Sequence, residues 1–212
     1  MSRRTIKGSG EKKQIRTKAV SKERSARRGR DSIFQVKIML NVIKPPIWRR
    51  VQVKDGSLAE LHDIIQTCMG WDDYHLHVFK IGGEQYGLPE QWQEPGGWGE
   101  PEVGDSRKIK LSQLVAQGIK KFRYVYDMGD TWEHTIQIEK TLPAETGVQY
   151  PRCIDGKRAC PPEDCGGPWS YGDFLEALQD PQHPRHEDRL EWIGGEFDSE
   201  AFNLDEVNAE LH

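Results

Sequence analysis

The stretch from Cys153 to Gly167 holds three of the chain's four cysteines within thirteen residues, together with two prolines and three glycines. Proline removes a backbone donor and glycine raises the entropy lost on ordering, so neither a regular helix nor a regular strand is expected there. Something other than a backbone ladder must hold the segment. Either the thiols bind a metal ion, or a proline-braced loop packs them as small apolar groups.

The Cys-x6-Cys-x4-Cys spacing lets one loop turn three thiolates onto one ion, and zinc favours four-coordinate thiolate and imidazole sites. His134, His183, His186 or a water would complete the set. A histidine would close a structural site, whereas a water would leave a catalytic position open. The expected zinc ligands are Cys153, Cys160, Cys165 and His134. The fourth cysteine, Cys68, falls in an apolar helical stripe and reads as core.

The net charge of −4 hides a division. Residues 1–30 carry twelve Lys or Arg against two Glu, leaving eighteen basic and thirty-two acidic side chains for the rest. Almost devoid of bulky apolar groups, residues 1–30 are expected to be a disordered basic arm on an acidic folded domain, residues 31–212. Arg24, Arg27, Arg28 and Arg30 of the arm are candidate nucleic-acid contacts, as are Arg49, Arg50 and Lys120-Lys121 of the body, because each phosphate neutralised releases counterions. The alternative is a solvated tail that docks on its own acidic body. No apolar run approaches the ~18 residues of a membrane span, and the basic N-terminus lacks the apolar core of a secretory signal. No membrane association, a cytoplasmic location and reduced thiols are therefore expected.

From Ile33 onward the pattern is α+β. Strands are expected over Ile33–Leu40 and Ile47–Val53, broken by Lys44-Pro45-Pro46. Ser57 and Glu60 form a capping box for a helix from Leu58 to Met69, buried through Leu61, Ile64, Ile65 and Cys68 and stopped by Gly70. A strand over Tyr74–Ile81 completes a β-grasp-like hairpin–helix–strand unit. Residues 84–106, with Trp92 and Trp98, read as a long loop or lid. A short helix lies within Lys108–Gly118, and a second hairpin spans Lys121–Asp127 and Trp132–Lys140. C-terminal helices are expected from Ser170 or Tyr171, over His186–Ile193, and over Ser199–Leu211.

Two further constellations could carry chemistry. In Trp71-Asp72-Asp73-Tyr74-His75-Leu76-His77, strand alternation puts His75 and His77 on one face, near Asp72 and Asp73. That suits a metal site or an acid–base pair. The simpler reading buries Leu76 and Val78 and leaves both histidines on the half-exposed face. In Tyr126-Asp127-Met128-Gly129-Asp130-Thr131-Trp132-Glu133-His134, turn chemistry accounts for Asp127, Gly129 and Asp130. It does not require Trp132 and His134, so Asp127, Asp130 and Trp132 join the candidate pocket. No phosphate-binding glycine loop, nucleophile elbow, HExxH or dinucleotide fingerprint is present.

Four ordered segments carry a resemblance. Ile43-Lys44-Pro45-Pro46-Ile47-Trp48-Arg49-Arg50, Met69 to His77, Tyr126 to His134, and Cys160-Pro161-Pro162-Glu163-Asp164-Cys165-Gly166-Gly167 together resemble the plasmid pRiA4b ORF-3-like family, from about Ile33 to Val207. Met128 stands where the family's turn is expected to hold an aromatic residue. The resemblance implies an α+β fold and, through the family's transposon-passenger and resolvase-like labels, a link to mobile DNA. It supplies no catalytic residue, and no serine with supporting arginines can be picked out. A non-enzymatic binding or accessory module contacting DNA is the leading expectation. The alternatives are a zinc-dependent hydrolase built on His75, His77, His134 and the cysteine loop, and a protein-interaction domain using the Trp92–Trp98 loop.

Overall fold

The computed structural model describes residues 32–92 and 103–212. Strands β1 (Ser32–Leu40) and β2 (Trp48–Lys54) form an antiparallel hairpin in which Phe34 faces Val53, Val36 faces Val51 and Ile38 faces Arg49. Helix α1 (Leu58–Met69) begins at the Ser57–Glu60 capping box and ends at Gly70, whose φ of 74° is left-handed. These bounds match the sequence pattern, because local side-chain chemistry alone sets both ends.

Next come β3 (His77–Ile81), β4 (Glu84–Gly87), β5 (Val103–Asp105) and α2 (Leu111–Ala116). They are followed by β6 (Lys121–Tyr126), β7 (Trp132–Pro143), β8 (Arg152–Lys157), α3 (Gly167–Gln179), α4 (His186–Ile193) and α5 (Leu204–Glu210). The eight strands make one mixed sheet in the order β5-β4-β3-β6-β7-β1-β2-β8. The class is α+β, as expected. The hairpin–helix–strand order of β1, β2, α1 and β3 is present, and in the sheet β6 and β7 stand between β3 and β1, so β3 pairs with β6. The second hairpin competes for the same edge with two long ladders, which no local signal reveals.

Two segments read as irregular are strands. Residues 84–87 turn back on β3, and 103–105 add a parallel strand to them. Likewise Arg152–Lys157 pairs with β2 despite its cysteine and glycine. Gly156 is needed there because a Cβ would lie 2.4 Å from Cζ of Phe202. At the backbone of this edge strand Asn208 of α5 receives the Cys153 N–H through Oδ1 (2.8 Å) and donates to the Cys153 carbonyl through Nδ2 (2.9 Å). A side-chain amide thus stands in for a further strand and covers part of the exposed edge.

The inner face of the sheet carries the core: Phe34, Val36, Ile38 and Leu40 of β1, Phe122, Tyr124 and Tyr126 of β6, and Trp132, His134, Ile136 and Ile138 of β7. Helix α1 closes over it with Leu58, Leu61, Ile65, Cys68 and Met69. Among the described residues no helix is long and apolar enough to cross a membrane.

Candidate functional site

Strand period determines the fate of two neighbouring arginines. Arg49 lies on the core face opposite Ile38 and is only 4% exposed. Its Nε donates to the Cys68 carbonyl (2.9 Å), and Nη1 donates to the carbonyls of Trp48 (3.0 Å) and Lys157 (3.2 Å). Helix α1 has no basic residue in its last turn. Arg49 brings a cation to that end from the sheet, where helix carbonyls are unpaired and the dipole is negative. Arg50 points to the other face and is clamped by both oxygens of Glu139 (2.8 and 3.1 Å) and by Asp155 (2.9 Å). The arginine bond is the main cause that holds the Glu139 carboxyl below its usual range. Arg49 is therefore an internal contact rather than the phosphate contact expected from the sequence, and Arg50 belongs to an ion-paired cluster on the other face. Arg24, Arg27, Arg28, Arg30 and Trp98 lie outside the described residues.

The cysteines do not converge on His134. Cys160 Sγ lies 2.9 Å from Met69 Sδ and 3.4 Å from Arg49 Nη2, and burial pushes its thiol up to about 11. Burial, with Asp130 nearby, pushes Cys165 up to about 12. Cys153 hydrogen-bonds instead with Cys68 of α1, and that bond lowers the Cys153 thiol while raising that of Cys68. His134 is wholly buried, with Nδ1 3.0 Å from the Trp132 carbonyl and its ring edge-on to Trp71. Trp132 is equally buried, so neither lines an open pocket. Among the described residues, the two groups of ligand-type atoms that gather within 4.8 Å contain no cysteine.

Those two groups flank the segment Asp73–His77, and each takes part of the predicted pocket. The inner one joins His62 of α1, Asp73 and His77. The His62 and His77 rings stack with centroids 3.5 Å apart and planes 14° from parallel. Nδ1 of His62 is 2.7 Å from the Tyr124 hydroxyl, which also accepts a bond from Gln66 Nε2 (2.8 Å), while Nε2 of His62 is 2.9 Å from Asp73 Oδ1. Burial lowers His62 to about 4, and burial with the neighbouring His62 lowers His77 to about 3. Both are neutral imidazoles at neutral pH.

The outer group joins His75, Asp127 and Asp164. His75 Nε2 is 3.0 Å from Asp164 Oδ1 and 3.8 Å from Asp127 Oδ2. The short approach to Asp164 lacks hydrogen-bond alignment, since the same nitrogen is buried without a directed partner; we read it as convergence, not as a formed bond. Asp127 and Asp164 both have left-handed backbone, φ 59° and 58°, a region asparagine and aspartate tolerate better than other side chains. Asp127 Oδ1 accepts the Gly129 N–H (2.8 Å), so one oxygen is pinned and the other is presented. Beside them the Tyr126 hydroxyl donates to Glu163 Oε1, and Glu163 Oε2 accepts the Asp72 N–H (2.9 Å). Burial is the main cause that raises the Tyr126 phenol, which stays protonated as a donor.

His75 and His77 therefore serve different groups. The strand begins only at His77, and His75 lies in a bend ahead of it, so the two-residue period does not extend back to align them. Asp72 contributes its backbone N–H, and Asp130 acts as a brace: its Oδ2 accepts the Gly166 N–H (3.1 Å). At Gly167 a Cβ would lie 2.5 Å from the Asp130 carbonyl oxygen, so glycine lets the cysteine loop close on the β6–β7 turn. That contact delivers Asp164. Two members were missed by sequence reasoning. His62 and Gln66 stand four apart on the buried side of an amphipathic helix, a detectable sign of a polar network. For Asp164 the only signal was an acidic pair between prolines and cysteine.

Comparison with known proteins follows the same boundaries. The plasmid pRiA4b ORF-3-like protein family matches residues 32–206, and the chain belongs to it. It is 41% identical over 179 residues, 84% of this chain and 89% of the relative, to "Uncharacterized protein y4hQ" of Sinorhizobium fredii. The crystal structure of the protein of unknown function MM3350 from Methanosarcina mazei Go1 is similar at a TM-score of 0.73 and 38% identity. That match covers 83% of this chain and 97% of the other.

Proposed function

We propose that this member of the plasmid pRiA4b ORF-3-like family is a divalent-cation-dependent hydrolase whose open centre is His75, Asp127 and Asp164. The observation that carries the reading is the convergence of one imidazole and two carboxylates from three separate segments onto a half-exposed point. One nitrogen and two carboxylate oxygens suit a hard or borderline ion such as Mn2+ or Mg2+. A bound ion there would polarise a substrate oxygen or acidify a water. Asp127, Asp164 and His75 would hold the ion, and Glu163, oriented by Tyr126 and by the Asp72 N–H, would take the proton from water as general base.

The test is Mn2+ binding by calorimetry, with turnover of p-nitrophenyl phosphate, bis-p-nitrophenyl phosphate and p-nitrophenyl acetate, on the full chain and on Asp164→Asn. Asparagine keeps the left-handed backbone. Loss of both binding and turnover is expected. Equal Mn2+ affinity in the two proteins, or no hydrolysis of any of the three esters by the Mn2+-loaded chain, overturns the proposal. A histidine merely packed beside two aspartates would give the first result.

Contact with DNA through residues 1–30 is a second reading, favoured by their twelve basic against two acidic residues. Lys80 and Lys121, with Arg123 paired to Glu133 (3.1 Å), line a cleft of about 510 Å³ on the body. Removal of residues 1–30 is expected to abolish salt-dependent binding to duplex DNA, measured by fluorescence anisotropy. Unchanged affinity would end this reading.

A further inference from the structure

We propose that His62, Asp73 and His77 form a second, buried site for a first-row divalent ion of the zinc class. The proposal does not depend on the open centre, since it uses none of its residues. Two imidazole nitrogens and one carboxylate oxygen, gathered within 4.8 Å, are the donor set of three-ligand zinc sites with a fourth position left over.

Three observations point to a ligand rather than to a satisfied core. First, His77 is 1% exposed, and its Nε2 has no hydrogen-bond partner among the described residues. A buried donor or acceptor left unsatisfied costs about 1–3 kcal/mol. Second, the ligand-type atoms of His62, Asp73 and His77 lie within 4.8 Å of one another, and the rings, now stacked at 3.5 Å, need only turn out of parallel for one ion to engage both nitrogens in plane. Third, an outer shell is already in place: Tyr124, itself bonded by Gln66, holds Nδ1 of His62. In metal sites a ligating histidine almost always uses its second nitrogen in this way, which fixes ring and tautomer. With an ion on Nε2 the His62 proton resides on Nδ1 and is donated to the Tyr124 oxygen, and the Tyr124 O–H turns to Gln66, whose amide flips to accept it through Oε1, an atom without a partner among the described residues. The imidazole changes tautomer without changing charge. Asp73, with its side chain 51% exposed, is the one member reached from solvent and so the path of entry.

Burial makes this site selective. Two nitrogens and one oxygen favour zinc or cobalt over magnesium and manganese. The first equivalent of zinc or cobalt is therefore expected at the inner group, and Mn2+ reports on the outer one.

The test uses the full chain, stripped with chelator and titrated with Zn2+, then with Co2+ for spectroscopy. Zinc X-ray absorption is expected to show two imidazoles at about 2.0–2.1 Å and no sulfur. Cobalt is expected to give visible ligand-field bands without a thiolate charge-transfer band. Zinc affinity should fall at least about tenfold in both His62→Gln and Asp73→Asn, and hold in Asp164→Asn. Because Asp73 is half-exposed, Asp73→Asn preserves the test if His62→Gln fails to fold. Sulfur scatterers, zinc affinity unchanged in Asp73→Asn, zinc affinity lost in Asp164→Asn, or no zinc bound at all would each overturn the proposal. Failure of the open centre reads differently: Mn2+ affinity indifferent to Asp164→Asn, with zinc still bound and still sensitive to Asp73→Asn.

Discussion

The two histidine–aspartate groups share one short stretch of chain and differ in almost every physical respect. At the inner group His62 and His77 are under 5% exposed, face to face, and tied into the Gln66–Tyr124 network under α1. At the outer group His75 is 30% and Asp164 64% exposed at the side chain, and the carboxylates ride on two left-handed loop residues. The inner group is woven into the core, so changes there should be felt as stability. The outer group is held by loop geometry at the rim of the sheet, so changes there should be felt as ligand binding. Residue types alone would not separate them.

The sharpest way to break that contrast is acid. His62, His77 and His134 are depressed by burial to about 4, 3 and 3, below the ordinary histidine value near 6.5. The unfolded chain takes up protons that the folded protein refuses, so stability is full above pH 6.5 and falls as the pH drops toward those folded values. In the presence of chelator each should forfeit up to about 2 kcal/mol between pH 7 and pH 5. Urea denaturation at the two pH values measures the sum. Replacing His62 with glutamine should remove one share, and stability that does not change with pH would refute the buried assignment.

Substitution gives a smaller separation. His77→Ala should cost about 2–4 kcal/mol, through lost ring packing and a cavity against Phe79 and Tyr124. His75→Ala should cost no more than about 1 kcal/mol, as expected for a partly exposed side chain without a directed bond. Equal costs would mean that the two groups are equally structural. The adjacent arginines offer a parallel test. Arg49→Met leaves the Cys68 carbonyl without its donor in the interior and should cost about 2–4 kcal/mol. Arg50→Met should cost about 1 kcal/mol. The smallest effect belongs to Asp164→Asn, within about 0.5 kcal/mol, because the side chain is exposed and asparagine accepts the same backbone. A large loss there would show that the outer loop is a structural clamp.

Much of this molecule is legible in its sequence wherever the cause is local. Ser57, Glu60 and Gly70 delimit α1 to the residue, and the Asp127–Thr131 turn marks the β6–β7 hairpin. Asn203 caps α5 through bonds to the N–H groups of Asp205 and Glu206, later than the Ser199 start the pattern suggested. Strand β8 was hidden because its ladder comes from β2 and its edge from Asn208, about fifty residues away in each case or more. Arg49 was misjudged for a related reason. Alternation places it on the core face, but the carbonyls that satisfy a buried guanidinium belong to a helix end and to another strand.

The candidate site divides along the same line. Histidines and aspartates at 72–77 and 127–130 are visible as chemistry in the chain, and the turn residues announce their own geometry. The sequence by itself determined the α+β class, the first hairpin, the capped helix and the second hairpin, because caps, breakers and period act over a few residues. Only the tertiary structure decided that β6 and β7 enter between β3 and β1. That insertion sets Tyr124 beneath His62 and His77, and Gly167 lets the cysteine loop bring Asp164 to His75. Ligand groups are built from contacts between remote segments, and those contacts follow from which sheet edges pair and how closely loops can pack.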